Sequence, residues 1–132
     1  LPSIFSFLPF FSKMSIDSLE QLRQRLAEFA AVRDWDKFHS PKNLAMALIG
    51  EAAEIIEHFQ WSTETQSQQL SPDKKQAVSQ ELADVLIYLI RLADKLEIDL
   101  IAVTQAKIQI NETRYPVELV KGSARRAEEY ER

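Results

Sequence analysis

Two pairs of acidic residues, each spaced three positions apart, are the strongest chemical feature of the sequence. Glu51 and Glu54 form one pair, and Glu81 and Asp84 form the other. Residues three apart lie roughly 60° apart around a helix, so each pair would share one helix face. A single pair of this kind is usually a solvated face. These pairs instead border apolar positions of their helices, where an unpaired carboxylate is costly.

A bound cation would resolve the cost of placing these acids against one another. If their two helices pack antiparallel, four carboxylates converge, and like charges so placed favour a positive ion. Carboxylate oxygens suit Mg²⁺ or Mn²⁺ better than Zn²⁺ or Cu²⁺. Such ions could orient a polyphosphate and neutralise the charge of a leaving group. A di-iron site is disfavoured, because it requires Glu-x-x-His motifs, which are absent here; His58, outside both pairs, is assigned no role.

Four helices are predicted around these residues from start signals and from apolar residues at helical spacing. Their caps and first residues, in chain order, are Asp17 or Ser18, Ser40-Pro41, Ser71-Pro72 and Asp99. Glu20 is the predicted capping-box partner of Asp17. The predicted helices end near Arg33, Gln60, Leu96 and Arg114, and the segment 62–70 is predicted to be a loop. The prediction is an all-α, four-helix bundle-like domain over residues 14–126, with the acidic pairs on the second and third helices.

The composition limits the other classes of function. The chain has 132 residues, 45% of them hydrophobic, and only two glycines, which fits one helical domain. A net charge of −4 disfavours binding to duplex nucleic acid. The absence of cysteine excludes disulfides, thiolate metal sites and cysteine catalysis, and it agrees with a cytoplasmic location.

The two ends of the sequence differ from this helical pattern. Residues 1–13 are apolar, interrupted by prolines, and too short to span a bilayer. They are interpreted as a non-native or upstream-encoded leader, with Met14 as the natural start; the alternative is an arm that packs on a partner subunit. Residues 127–132 are interpreted as a charged tail.

The sequence resembles the all-α nucleoside triphosphate pyrophosphohydrolases of the MazG type, and within them the dCTP pyrophosphatase branch. The resemblance rests on both acidic pairs and on the motifs RDW, FH-x-P-x-N, FQW and RYP, which occur in that order. It implies a homo-oligomer, dimer or tetramer, with base pockets completed between subunits. It implies attack of water at the α-phosphorus with release of pyrophosphate. It also implies Mg²⁺ held by Glu51, Glu54, Glu81 and Asp84.

Aromatic residues on either side of the second helix suggest a base pocket. Trp35 precedes this helix and Trp61 follows it, and aromatic faces stack on bases. His39 can form a hydrogen bond with a base edge. The resemblance adds Tyr88 to this pocket, although Tyr88 also fits the apolar side of its helix. An isolated tryptophan is usually a core residue, but the matching motifs favour the pocket.

Polar side chains in the fourth helix are candidates for binding the triphosphate. Lys107, Asn111 and Arg114 are three to four residues apart, so one helix face could present them. Lys121 and Asn43 complete the candidate set. The alternative is an ordinary solvated face at the end of a helix.

The resulting prediction is a Mg²⁺-dependent enzyme that converts a deoxynucleoside triphosphate, with dCTP favoured, to the monophosphate and pyrophosphate, and so clears unwanted nucleotides. No membrane partner is expected. The base preference stays open, with dATP included, as do the number of ions and the identity of the general base. The alternatives are a nucleotide sensor that binds without hydrolysis and a non-catalytic helical interaction module.

Overall fold

The computed structural model describes residues 15–130, which form helices and turns with no strand among them. The four longer helices are α1 (Leu19–Val32), α2 (Pro41–Phe59), α4 (Pro72–Lys95) and α5 (Leu100–Arg114). The two shorter ones are α3 (Glu64–Ser67) and α6 (Val117–Val120), and 3-10 turns lie at Asp36–Phe38 and Ala127–Glu129. The predicted all-α fold class is confirmed. The predicted leader lies outside the described residues, as do the last two residues of the predicted tail.

Side-chain caps begin the four longer helices where the sequence predicts them. The side chains of Ser18, Ser40, Ser71 and Asp99 each accept a hydrogen bond from the backbone N–H three residues later. Each cap satisfies one of the N–H groups that have no partner within the helix. The serine-proline pairs therefore mark true helix starts, and the two acid-bearing helices begin at the predicted residues.

Two local predictions are wrong. Glu20 is not the capping-box partner of Asp17, because the cap of α1 is Ser18. The side chain that accepts a hydrogen bond from the N–H of Asp17, at 2.8 Å, is that of Gln21. The segment 62–70 is not entirely loop, because it contains α3. Thr63 and Gln66 form a reciprocal capping box there, which starts a helix without any apolar periodicity.

The chain forms two compact units that divide between Glu97 and Ile98. In the first unit α2 packs most extensively against α4, and α1 also packs against α4. The buried apolar residues of this unit are Ala30, Leu44, Val78, Ile90 and Ala93. This packing places the acid-bearing helices side by side. In the second unit, α5 and α6 precede the 3-10 turn, in which Ala127 is buried.

None of the helices described between residues 15 and 130 combines the length and the apolar character needed to cross a bilayer.

Candidate functional site

Three acidic side chains from the two packed helices meet in one cluster. One carboxylate oxygen from each of Glu51, Glu81 and Asp84 lies within 4.8 Å of the others. Glu51 is on α2 and the other two are on α4, and all three residues are half-buried. Opposite oxygen ligands of a Mg²⁺ ion lie about 4.2 Å apart, twice the usual bond length. The acidic cluster, meaning these three carboxylates, is therefore of a size that could hold a divalent cation.

The electrostatics of the acidic cluster also fit a cation. Burial, followed by the negative charges of Glu54 and Asp84, raises the pKa of Glu51. The neighbouring carboxyl group of Glu54, followed by burial, raises the pKa of Glu81. Oxygen Oε2 of Glu81 is buried and has no hydrogen-bond partner among the described residues. A positive ion would offset the repulsion and supply the missing partner of this oxygen.

The fourth predicted carboxylate, Glu54, differs from the other three. It is exposed and lies outside the three-carboxylate cluster, although its carboxyl group comes close to those of Glu51 and Glu81. Its predicted role as a metal ligand stays a prediction. The structure brings it to the edge of the cluster.

His58, which was assigned no role from the sequence, is a neighbour of the acidic cluster. It is half-buried, and its Nε2 atom lies 3.8 Å from Oε1 of Glu81. The signal was present, because position 58 is two helical turns after position 51 and so shares its face. His58 was compared only with the Glu-x-x-His spacing of a di-iron site, so this longer spacing was overlooked.

Both tryptophans flank α2 and are accessible, so neither is a core residue. Trp35 is 44% exposed, and its ring forms edge-to-face contacts with Phe29 and His39, with ring centroids 5.8 Å and 6.3 Å away. Trp61 is 87% exposed. Tyr88 is half-buried on α4, one turn after Asp84. Exposed aromatic faces remain available for stacking on a base, and their roles stay predictions.

A network of ion pairs around Arg91, which was not predicted from the sequence, holds the segment between α1 and α2 in place. Arg91 on α4 is 3% exposed and forms ion pairs with Asp36 at 2.9 Å and with Asp94 at 3.4 Å. The same guanidinium contacts Nδ1 of His39, and Lys95 also pairs with Asp36 at 2.8 Å. The 3-10 turn and His39, which follows it, are thereby attached to the helix that carries Glu81. Nothing in the local sequence distinguishes the buried Arg91 from an arginine on the surface.

The predicted phosphate-binding residues are divided between the two units. Asn43 begins α2, and its amide donates to the backbone oxygen of Phe38 at 3.0 Å. The other candidates lie in the second unit. Arg114 pairs there with Glu128 at 3.0 Å. The remaining three are Lys107 and Lys121, which are exposed, and Asn111, which is half-buried. Their binding roles stay predictions.

The chain is similar to several known proteins. The MazG-like family matches residues 49–129, a range that contains the whole acidic cluster. The chain is 44% identical to dCTP pyrophosphatase 1 of Homo sapiens over 127 residues, which are 95% of this chain and 71% of the human protein. It is 47% identical to dCTP pyrophosphatase 1 of Mus musculus over 109 residues, 81% of this chain and 64% of the mouse protein.

A solved structure has the same fold. The crystal structure of a pyrophosphatase from Archaeoglobus fulgidus superimposes with a TM-score of 0.63 and 38% sequence identity. The match covers 79% of this chain and 99% of the archaeal chain.

Proposed function

Because the chain belongs to the MazG-like family, we propose that it hydrolyses a deoxynucleoside triphosphate to the monophosphate and pyrophosphate, with dCTP as the favoured substrate. The observation that carries the proposal is the acidic cluster, formed from two packed helices in a chain similar to dCTP pyrophosphatases. Converging carboxylates are electrostatically costly, and a cation-dependent polyphosphate site gives them a use.

The acidic cluster would hold Mg²⁺, and Mn²⁺ would suit the same oxygen ligands. The ligands would come from Glu51, Glu81 and Asp84, with Glu54 at the edge as a fourth. The ion would supply positive charge that neutralises the phosphate oxygens of the substrate. Support for this assignment comes from the buried, unpartnered Oε2 of Glu81 and from the raised pKa of Glu51.

In the proposed reaction a water oxygen bonds to the α-phosphorus, and the bond from that phosphorus to the bridging oxygen breaks. The bridging oxygen leaves with pyrophosphate. A carboxylate of the cluster accepts the proton that the water loses, which fits a site without a cysteine nucleophile.

Residues around the cluster would bind the rest of the nucleotide. Trp35 and Trp61 would stack on the base, and His39 and Tyr88 would line the same pocket. Asn43 would contact the phosphates. Within the second unit, Lys107, Asn111, Arg114 and Lys121 stay candidates for binding a phosphate. Exposed apolar side chains on α2, such as Met46 and Ile49, support a homo-oligomer that covers them. We expect a cytoplasmic protein that removes unwanted nucleotides.

The first experiment is a measurement of pyrophosphate release from a panel of deoxynucleoside and nucleoside triphosphates, with Mg²⁺ and with EDTA. Release that requires the metal and is fastest with dCTP would support both the cluster and the pocket. Fastest release from a triphosphate with another base would support the proposed hydrolysis and contradict the proposed base pocket. Binding without release would favour a nucleotide sensor, and neither binding nor release would favour an interaction module.

A further inference from the structure

Arg91 is the only charged residue that is buried within residues 15–130, and the proposed chemistry gives it no role. Its Nη2 atom lies 2.9 Å from Oδ1 of Asp36 and 3.2 Å from Nδ1 of His39. Its Nη1 atom lies 3.4 Å from Oδ2 of Asp94. The other oxygen of Asp94, Oδ1, accepts a hydrogen bond from Arg23 of α1 at 3.1 Å. The guanidinium is therefore held from several sides while it touches the imidazole.

The contact with Arg91 decides which nitrogen of His39 carries the proton. A guanidinium is permanently charged and has only donors, so Nδ1 of His39 must accept its hydrogen bond. In a neutral imidazole the proton then lies on Nε2, and this atom becomes a donor. Burial and the charge of Arg91 lower the pKa of His39, with Asp36 opposing and Lys95 adding to the effect. The ring is therefore neutral near pH 7.

We propose that Arg91 is a positioning residue for the base pocket. Arg91 holds His39 as the Nε2–H tautomer, so that His39 donates a hydrogen bond to the base. The inference rests on the proposed function, because it takes His39 to face the base. A donor at this place selects an acceptor on the ligand. The carbonyl oxygen and the unprotonated ring nitrogen of cytosine are acceptors and fit this donor. The amino group of cytosine is itself a donor and does not fit.

The aromatic contacts extend the effect of Arg91 to the stacking surface. The rings of Trp35 and His39 meet edge to face at an interplanar angle of 63°. Asp36, the next residue after Trp35, is bound by Arg91. Arg91 thus orients both the hydrogen-bonding ring and the stacking ring from one buried position.

The tautomer can be measured on the wild-type chain without a ligand. Nitrogen-15 NMR of the histidine-labelled protein at pH 7.5 distinguishes the two neutral tautomers and the imidazolium. The expected spectrum for His39 has a protonated Nε2 and an unprotonated Nδ1. A protonated Nδ1, in either the other tautomer or the imidazolium, overturns the proposal. This measurement requires no variant to fold and no activity.

Kinetics test whether Arg91 acts through His39. Arg91→Gln is expected to raise KM for dCTP about tenfold, while kcat changes less than about twofold, because one hydrogen bond to the base is lost and the acidic cluster is intact. Arg91→Lys, which keeps a charged donor, should recover part of the loss. Lys95→Gln is the matched control, since it removes a cation that binds Asp36 but does not contact the imidazole.

The decisive comparison combines the variants. In a His39→Ala background, Arg91→Gln should have no further effect on KM. An equal rise in KM in both backgrounds, or a parallel fall in kcat, would assign Arg91 to the general stability of the fold and overturn the proposal. If the wild type hydrolyses no triphosphate, the proposed function fails, and the NMR spectrum still decides the tautomer.

Discussion

Replacement of Glu51 by glutamine should stabilise the metal-free protein and abolish its activity. Glutamine keeps the shape of the side chain and removes one negative charge from the acidic cluster. The raised pKa of Glu51 shows that its charged form is disfavoured by burial and by its acidic neighbours. The same charge is needed to bind a cation. Stability without metal and activity with metal are therefore expected to change in opposite directions.

The size of the stabilisation follows from the geometry of the cluster. At the 4.8 Å limit of the cluster, two unit charges repel by about 0.9 kcal/mol in water and about 3.5 kcal/mol at an effective dielectric constant of 20. Because Glu51 is partly exposed, solvent screening favours the lower value. A gain of about 1 kcal/mol is expected, which corresponds to about 4 °C in Tm for a chain of this size.

The assay is thermal unfolding of the wild type and Glu51→Gln, first in EDTA and then over a range of Mg²⁺ concentrations, together with pyrophosphate release. In EDTA the variant should unfold at the higher temperature. Mg²⁺ should raise the Tm of the wild type, as any ligand of the native state does, and leave the variant unchanged. Glu57→Gln is the matched control, because Glu57 is exposed on the same helix and lies outside the cluster. A variant that is less stable in EDTA, or that still responds to Mg²⁺, would refute the reasoning.

Four further predictions follow from single residues. Trp61→Ala should leave Tm unchanged, because the ring is 87% exposed, and raise KM for dCTP about tenfold or more through lost stacking; an unchanged KM would exclude Trp61 from the pocket. Leu44→Ala should lower the unfolding free energy in urea by about 3–5 kcal/mol, because Leu44 is 1% exposed; a loss below about 1 kcal/mol would contradict that burial. Gly50→Ala should raise Tm, since a Cβ there meets no atom within 4 Å and alanine favours the helix by about 1 kcal/mol; a lower Tm would indicate a neighbour at that place. The folded state lowers the pKa of His39, so the unfolded chain binds more protons and stability should decline as pH falls below about 6.5; His39→Gln should reduce this decline, and an identical pH profile would contradict it.

Local chemistry explains why the helix starts could be predicted from the sequence. A serine followed by proline satisfies a terminal N–H group and presets the backbone angle within a few residues, so Ser40-Pro41 and Ser71-Pro72 needed no tertiary information. The helical period likewise placed both acidic pairs on single faces. The short helix after Thr63 was missed, because its capping box is not accompanied by an apolar pattern.

The details of the site depend on packing, which the sequence pattern does not specify. The rotation of α2 against α4 brings Glu51 into the cluster and leaves Glu54 exposed at its edge, although both share one face of the helix. The contact of Arg91 with Asp36 and His39 joins residues far apart in the chain. Such contacts are determined by the tertiary fold, so periodicity alone could not predict them.

The acidic cluster has a consequence for the segment of chain between its two helices. Glu51 and Glu81 lie on either side of the segment that contains Trp61 and α3. Because α2 and α4 pack together, this part of the chain is already a closed loop. An ion shared by these two residues would hold its ends more firmly and lower its remaining conformational entropy before any nucleotide arrives. Metal binding would then reduce the conformational entropy that the base pocket loses when a nucleotide binds. The affinity for the base should therefore increase with metal occupancy, even without a contact between the ion and Trp61.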